Sequence, residues 1–129
     1  MAGAQTGVLE LPYEASGAIV KNRGVKLSGD QTVQQVAASN DRSLGVATVD
    51  VSSTEATAGK GVTVRVLGVQ WCEAGAAVTR GDRVMYDTSG RVVLAATAGN
   101  FVIGYALKGT TTGAGDLIPV LLTPNLPAL

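Results

Sequence analysis

No histidine occurs in this chain of 129 residues, cysteine occurs once, and five residues in all are aromatic. The missing histidine takes away the commonest general base and the commonest metal ligand. A Ser-His-Asp triad, a haem site or a conventional zinc site is therefore not expected, and no cofactor is. A single thiol, Cys72, permits no intramolecular disulfide, which excludes a disulfide-stapled secreted scaffold. Without a histidine to activate it, Cys72 reads as a small buried hydrophobe. Charge is also scarce. Charged residues make up 16% of the chain, and 10 Lys+Arg are balanced by 10 Asp+Glu. A nucleic-acid surface needs an excess of cations, so no nucleic acid is expected as partner. No apolar run approaches the roughly 20 residues that span a bilayer, and no membrane partner is expected. The first residues show neither a basic n-region nor an apolar h-region, so no signal peptide is expected and synthesis in a cytoplasm is.

What the chain has in quantity is valine, threonine and glycine: 18, 13 and 17 residues. Val and Thr suit a pleated surface, and Gly punctuates it at turns. Short β-type runs are predicted at 18–21, 25–27, 33–37, 44–51, 62–69, 83–86, 91–95, 101–107 and 117–122. Turn chemistry separates them, as in Ser28-Gly29-Asp30 and Asp87-Thr88-Ser89-Gly90. Regular short strands with no convincing helical stripe indicate an all-β fold, a small single-domain β-barrel or sandwich. Alternation in Val62-Thr63-Val64-Arg65-Val66 marks a half-buried antiparallel strand, and Gly68 after it predicts a bulge or bend. Pro119 cannot donate to a ladder, so its strand is expected at an edge.

One motif occurs twice. Residues 25–47 align with 84–106 at a constant shift of 59, without a gap: Val25 with Val84, Val33 with Val92, Ala37 with Ala96. Leu44-Gly45-Val46-Ala47 meets Ile103-Gly104-Tyr105-Ala106. After a shortened loop the parallel continues at a shift of 54, which matches Gly61, Val64 and Val66 to Gly115, Ile118 and Val120. The glycines at 45 and 104 suggest close backbone approach or a bend where the barrel closes. A pseudo-twofold internal repeat follows, with halves at about 17–67 and 76–121 that close together into one barrel. The domain is then 17–122, between a flexible N-terminal arm at 1–16 and a C-terminal tail at 123–129.

No constellation joins a nucleophile, a base and an oxyanion site. A hydrolase built on Asp82 and Asp87 has the least support; capping of turns by Asp82, Asp87 and Asp116 is the ordinary use of such residues. Arg80-Gly81-Asp82 spells the integrin-binding tripeptide, but Gly-Asp ahead of a strand is common turn composition. Candidate contact residues fall into three groups. Lys21, Arg23 and Lys26 form the one basic cluster, and could face an acidic patch on a protein partner or be a solvated strand edge. Trp71 is an interface anchor or simply the largest core residue. Val8, Leu9, Leu11, Pro12 and Tyr13 in the arm, with Leu126 and Leu129 in the tail, are apolar groups suited to docking or to packing back on the barrel.

Several runs occur in an order that resembles a known family. They are Leu44-Gly45-Val46-Ala47, residues 61–69 (Gly-Val-Thr-Val-Arg-Val-Leu-Gly-Val), residues 80–87 (Arg-Gly-Asp-Arg-Val-Met-Tyr-Asp), Gly90-Arg91-Val92 and Ile103-Gly104-Tyr105-Ala106. Over about residues 17–122 the chain is similar to the capsid decoration, or capsid cement, proteins of tailed bacteriophages. The resemblance implies a non-enzymatic accessory protein on the outside of a phage head, often trimeric, with the major capsid protein and itself as partners. It implies that the protein stabilises the shell against the pressure of packaged DNA. The alternative is a stand-alone β module that binds a cell-surface glycan or protein, for which exposure of Trp71 beside tyrosines would speak.

Overall fold

The computed structural model describes residues 7–96 and 101–123. Nine strands make one continuous sheet: β1 (Gly7–Ala15), β2 (Gly24–Leu27), β3 (Thr32–Gln35), β4 (Gly45–Ala47), β5 (Gly61–Glu73), β6 (Arg83–Tyr86), β7 (Val92–Leu94), β8 (Gly104–Ala106) and β9 (Leu117–Leu122). The order across the sheet is β1-β3-β2-β4-β5-β9-β8-β6-β7, and β1 also pairs with β5. That pairing closes β1, β3, β2, β4 and the first half of β5 into a five-stranded barrel. The second half of β5 begins the same strand order again, through β9, β8, β6 and β7. Its closure is a single parallel bridge, Ala74 to Val92, the counterpart of the parallel pair Ala15 to Val33.

The repeat is present in the ladders residue by residue. Val25 faces Gln35 and Leu27 faces Val33; at the same shift of 59, Val84 faces Leu94 and Tyr86 faces Val92. Val25 also pairs with Gly45, as Val84 does with Gly104. Two differences from the sequence reading stand out. The later part of the repeat runs at a shift of 56 and not 54, because Ala47 pairs with Val64 where Ala106 pairs with Val120. The three residues lost lie where the first copy inserts helix α1 (Ser53–Thr57), nucleated by a capping box between Ser52 and Glu55. The repeat also starts earlier than residue 17. Tyr13 faces Val62 as Cys72 faces Ile118, and Leu11 faces Val64 as Gln70 faces Val120. Strand β1 is thus the counterpart of the second half of β5.

The segment 1–16, read from sequence as an arm, accordingly contains a strand in the barrel wall. Without β1 the first half would leave two strand edges open and its core uncovered. Each half has its own core, which corrects the expectation of one jointly closed barrel. The first is built on Ala15, Ile19, Val25, Val33, Ala47, Val62 and Val64. The second contains Ala74, Val78, Val84, Val92, Ala106, Ile118 and Val120, which are the same positions one repeat later. Residues 18–21 contribute only an isolated bridge, Ile19 to Val51, before a turn.

Pro119 does not lie on an edge strand, since β9 runs between β5 and β8. Its carbonyl accepts from the Leu107 amide. The N–H it lacks would face the Leu107 carbonyl, so the proline costs one bond of that pair, at the very end of the β8–β9 ladder. Gly68 adopts φ 111° within β5, and the β1–β5 register slips beside it, which is the predicted irregularity.

Gly45 and Gly104 fulfil the expectation of close approach at equivalent places. A Cβ on Gly45 would overlap the Arg65 carbonyl, and one on Gly104 would overlap the Leu121 carbonyl. These obstacles are backbone in a paired strand and cannot swing away. Gly45→Ala and Gly104→Ala should each lower unfolding stability by about 2–3 kcal/mol, measured by urea denaturation. The turn ahead of β9 responds to acid. Asp116 accepts from the amides of Thr111, Thr112 and Gly113 and from the Thr112 hydroxyl, and these bonds hold its carboxyl at about 2. The folded state therefore binds fewer protons than the unfolded chain between the usual carboxylate range and about pH 2. The contribution of Asp116 is present above that window and lost as pH falls through it. Thr111 and Thr112 amide shifts should titrate near pH 2 in the protein, and the response should vanish in Asp116→Asn.

Candidate functional site

Strand β1 places its residues by alternation. Tyr13 packs against the first core, Leu11 is half-buried, Pro12 is exposed opposite Thr63, and Leu9 is exposed. Val8 belongs to the strand, but its side chain lies outside the described residues, as do Leu126 and Leu129.

The basic cluster of the sequence does not act as one patch. Arg23 forks onto both carboxylate oxygens of Glu73, each at 3.1 Å. Lys26 pairs with Asp41 at 2.9 Å. That contact, with the Ala37 and Ala38 amides, holds the Asp41 carboxyl below the usual range. Lys21 alone keeps an exposed ammonium group, on the rim of an open cleft of about 450 Å³. Trp71, half-buried, lines the same cleft with Asn22, Thr48 and Leu117. Two of the candidates, Lys21 and Trp71, are thus brought together, while Arg23 and Lys26 are occupied by ion pairs within the protein.

Arg23 matters for another reason: it joins the two halves. Its guanidinium also reaches the Ser89 carbonyl at 3.5 Å, and Gln35 donates to the same carbonyl at 3.0 Å. Tyr86, from the second half, lies over Gly24 of the first, where a Cβ would collide with the ring. Its hydroxyl donates to the Gly45 carbonyl at 3.3 Å, and Val36 and Val46 of the first half join the core around it. Sequence reasoning missed this seam. Its one signal was that Tyr86 stands where the first copy has Leu27.

The groups with chemical potential are structural. Burial pushes the Cys72 thiol up to about 12, where almost no thiolate exists at neutral pH. Burial also raises the Tyr86 hydroxyl well above its ordinary value. Gly81 takes φ 90°, and the Asp82 carboxylate accepts from the Thr79 amide at 2.9 Å. The Arg-Gly-Asp sequence is therefore turn architecture, and its first-copy counterpart, Asn22, has φ 68°. Asp87 accepts from the Ser89 and Arg91 amides. Among the described residues no cluster of three or more Cys, Asp or Glu side chains could hold a metal ion. None of the described helices is long and apolar enough to cross a membrane.

A duplicated barrel that presents surfaces, with its polar groups spent on turns and on the seam, defines a structural binding protein. The chain belongs to the phage cement protein family, which it matches over residues 3–122. In fold it is similar to the N base of the head fibre gp8.5 of bacteriophage phi29, with a TM-score of 0.69 at 21% identity over 92% of this chain and 97% of that one. No curated protein matches it. It is a capsid-associated structural protein of a phage virion.

The seam and the cleft rim should respond differently to mutation. Arg23→Ala removes a partly buried forked pair and should cost about 1–2 kcal/mol of unfolding free energy. Lys21→Ala should stay within about 0.5 kcal/mol of the parent. Urea denaturation of both variants checks this.

Proposed function

We propose that the protein binds the outer surface of the mature phage capsid as homotrimers, contacts the major capsid protein, and stabilises the shell against the pressure of packaged DNA. The observation that carries this reading is membership of the cement family across nearly the whole chain. Physical features support it. A protein that engages only the expanded lattice stabilises that lattice by RT ln(1 + [L]/Kd) and needs no reactive centre. Three linked copies would raise attachment through effective concentration. Exposed apolar side chains that such contacts could use include Leu9, Leu107, Leu117 and Leu121. Trp71 and Lys21 at the cleft add an anchor and a cation.

The test is to mix purified protein with expanded, undecorated capsids and follow co-sedimentation and heat resistance of the shell. Saturable binding with a raised disruption temperature is expected; absence of both would overturn the reading. Formal net charge is zero, so long-range steering is small and binding should weaken little between about 50 mM and 500 mM salt. A steep loss over that range would assign attachment to Lys21 and the other exposed cations.

A further inference from the structure

The contact between the two halves is one-sided. Tyr86 and Glu73 of the second copy are received by Gly24, Gly45 and Arg23 of the first. Were the contact reciprocal, Leu27, at the position of Tyr86, would be covered by the second copy; it is 53% exposed. A head-to-tail contact of this kind leaves one unused end on each copy. On the first copy the unused end carries Leu27, Glu14 and Asp30, the counterparts of Tyr86, Glu73 and Ser89. On the second it carries Arg83, Leu94 and Tyr105, the counterparts of Gly24, Gln35 and Val46.

We infer that these two ends bind each other between molecules, so that the partner of the Leu27 end is the Arg83–Leu94 end of a second copy of this chain. Charge supports the pairing. Eight of the ten carboxylates accept a hydrogen bond or an ion pair within the protein. Among the described residues the two that find no such partner are Glu14 and Asp30, both exposed and both on the first end; Glu14 takes part through its backbone only, donating to the Gln31 carbonyl. At the second end Arg80 and Arg83 are exposed, and neither has an ion-pair partner among the described residues. Inside the molecule the cation Arg23 goes to Glu73 and to the Ser89 carbonyl. The free end offers carboxylates at those same two positions, 14 and 30, and the opposite end offers arginines. Asp82 replaces Arg23 there, but its carboxylate is turned onto the Thr79 amide, and the arginines on either side of it supply the positive charge.

Apolar groups match as well. Leu94 is 48% exposed and Leu27 53%, so each end has one large aliphatic side chain in open solvent, and Tyr105, paired with Arg83, adds a half-buried ring. Contacts of this kind extend a chain of copies or close it into a ring. The inference gives the self-association proposed above a surface, and it is tested without capsids, so that its failure leaves shell binding untouched.

The experiment uses two full-length variants, Leu27→Asp and Leu94→Asp, both at exposed positions. Each is first shown by circular dichroism and thermal melting to fold like the parent. Sedimentation velocity should give an oligomer for the parent and a monomer for each variant alone. An equimolar mixture should give a dimer and nothing larger, because each variant keeps one sound end and the other variant keeps its complement. Arg83→Glu should also be monomeric and should pair with Leu27→Asp in the same way. A monomeric parent, an undiminished oligomer in either variant, or a mixture that stays monomeric would each overturn the inference. Leu117→Asp, away from both ends, should leave the parent's oligomer intact; its dissociation would place the interface elsewhere and overturn the proposal too.

Discussion

Everything in this fold depends on one strand that belongs to two barrels. β5 has 13 residues, about twice the common strand length. Its first half pairs with β1 and β4 and its second with β9. The last strand of one copy therefore runs without a break into the first strand of the next. Such continuity leaves little freedom in how the copies sit together. Gly68, at the point where the strand changes barrels, absorbs the change of direction with a backbone that a side chain would rarely adopt. The Arg23–Glu73 pair and the Tyr86 ring then lock the angle that the strand allows.

Much of this was legible in the sequence, and the parts that were not share a cause. The all-β class followed from Val, Thr and Gly content, and the core of the repeat from ungapped register. Both rest on local pattern, which the chain carries plainly. The failures concern what pairs with what. Residues 8–13 read as an arm because they lie ahead of the first repeat copy, after a small and flexible Ala/Gly stretch. Yet Glu14-Ala15 and Glu73-Ala74 stand 59 apart, as do Ala18 and Ala77, and that match would have extended the repeat into β1. The edge expectation for Pro119 rests on an interior proline costing a ladder bond; here that cost is a single bond at the end of the β8–β9 ladder, where Leu107 still donates to the Pro119 carbonyl. The helix α1 left its signal in Ser52 and Glu55, three apart, but five residues are too few for a periodic stripe.

The candidate surface was less legible than the fold, because proximity in sequence says little about where an ion pair goes. Lys21, Arg23 and Lys26 look like one patch within six residues. In the barrel they point to three destinations: a cleft rim, the seam between copies, and a loop carboxylate. Five of the ten cations, Arg23, Lys26, Lys60, Arg65 and Arg91, form ion pairs within the protein. The charge left for partners is accordingly smaller than composition suggests, and what remains is not spread evenly.

Duplication explains that unevenness. After copying, both halves carried the same surfaces, but only one seat was filled by the internal contact. At the buried seat a large ring lies over a glycine, Tyr86 on Gly24; the equivalent exposed positions hold Leu27 and Arg83. The same holds for the outer face. Where the first copy keeps Glu10 paired with Arg65, the second has Val69 opposite Leu121. Two positions with the same backbone, the same register and the same parentage have thus taken opposite chemistry. Stability cannot require both solutions at once, since either one satisfies the strand pair.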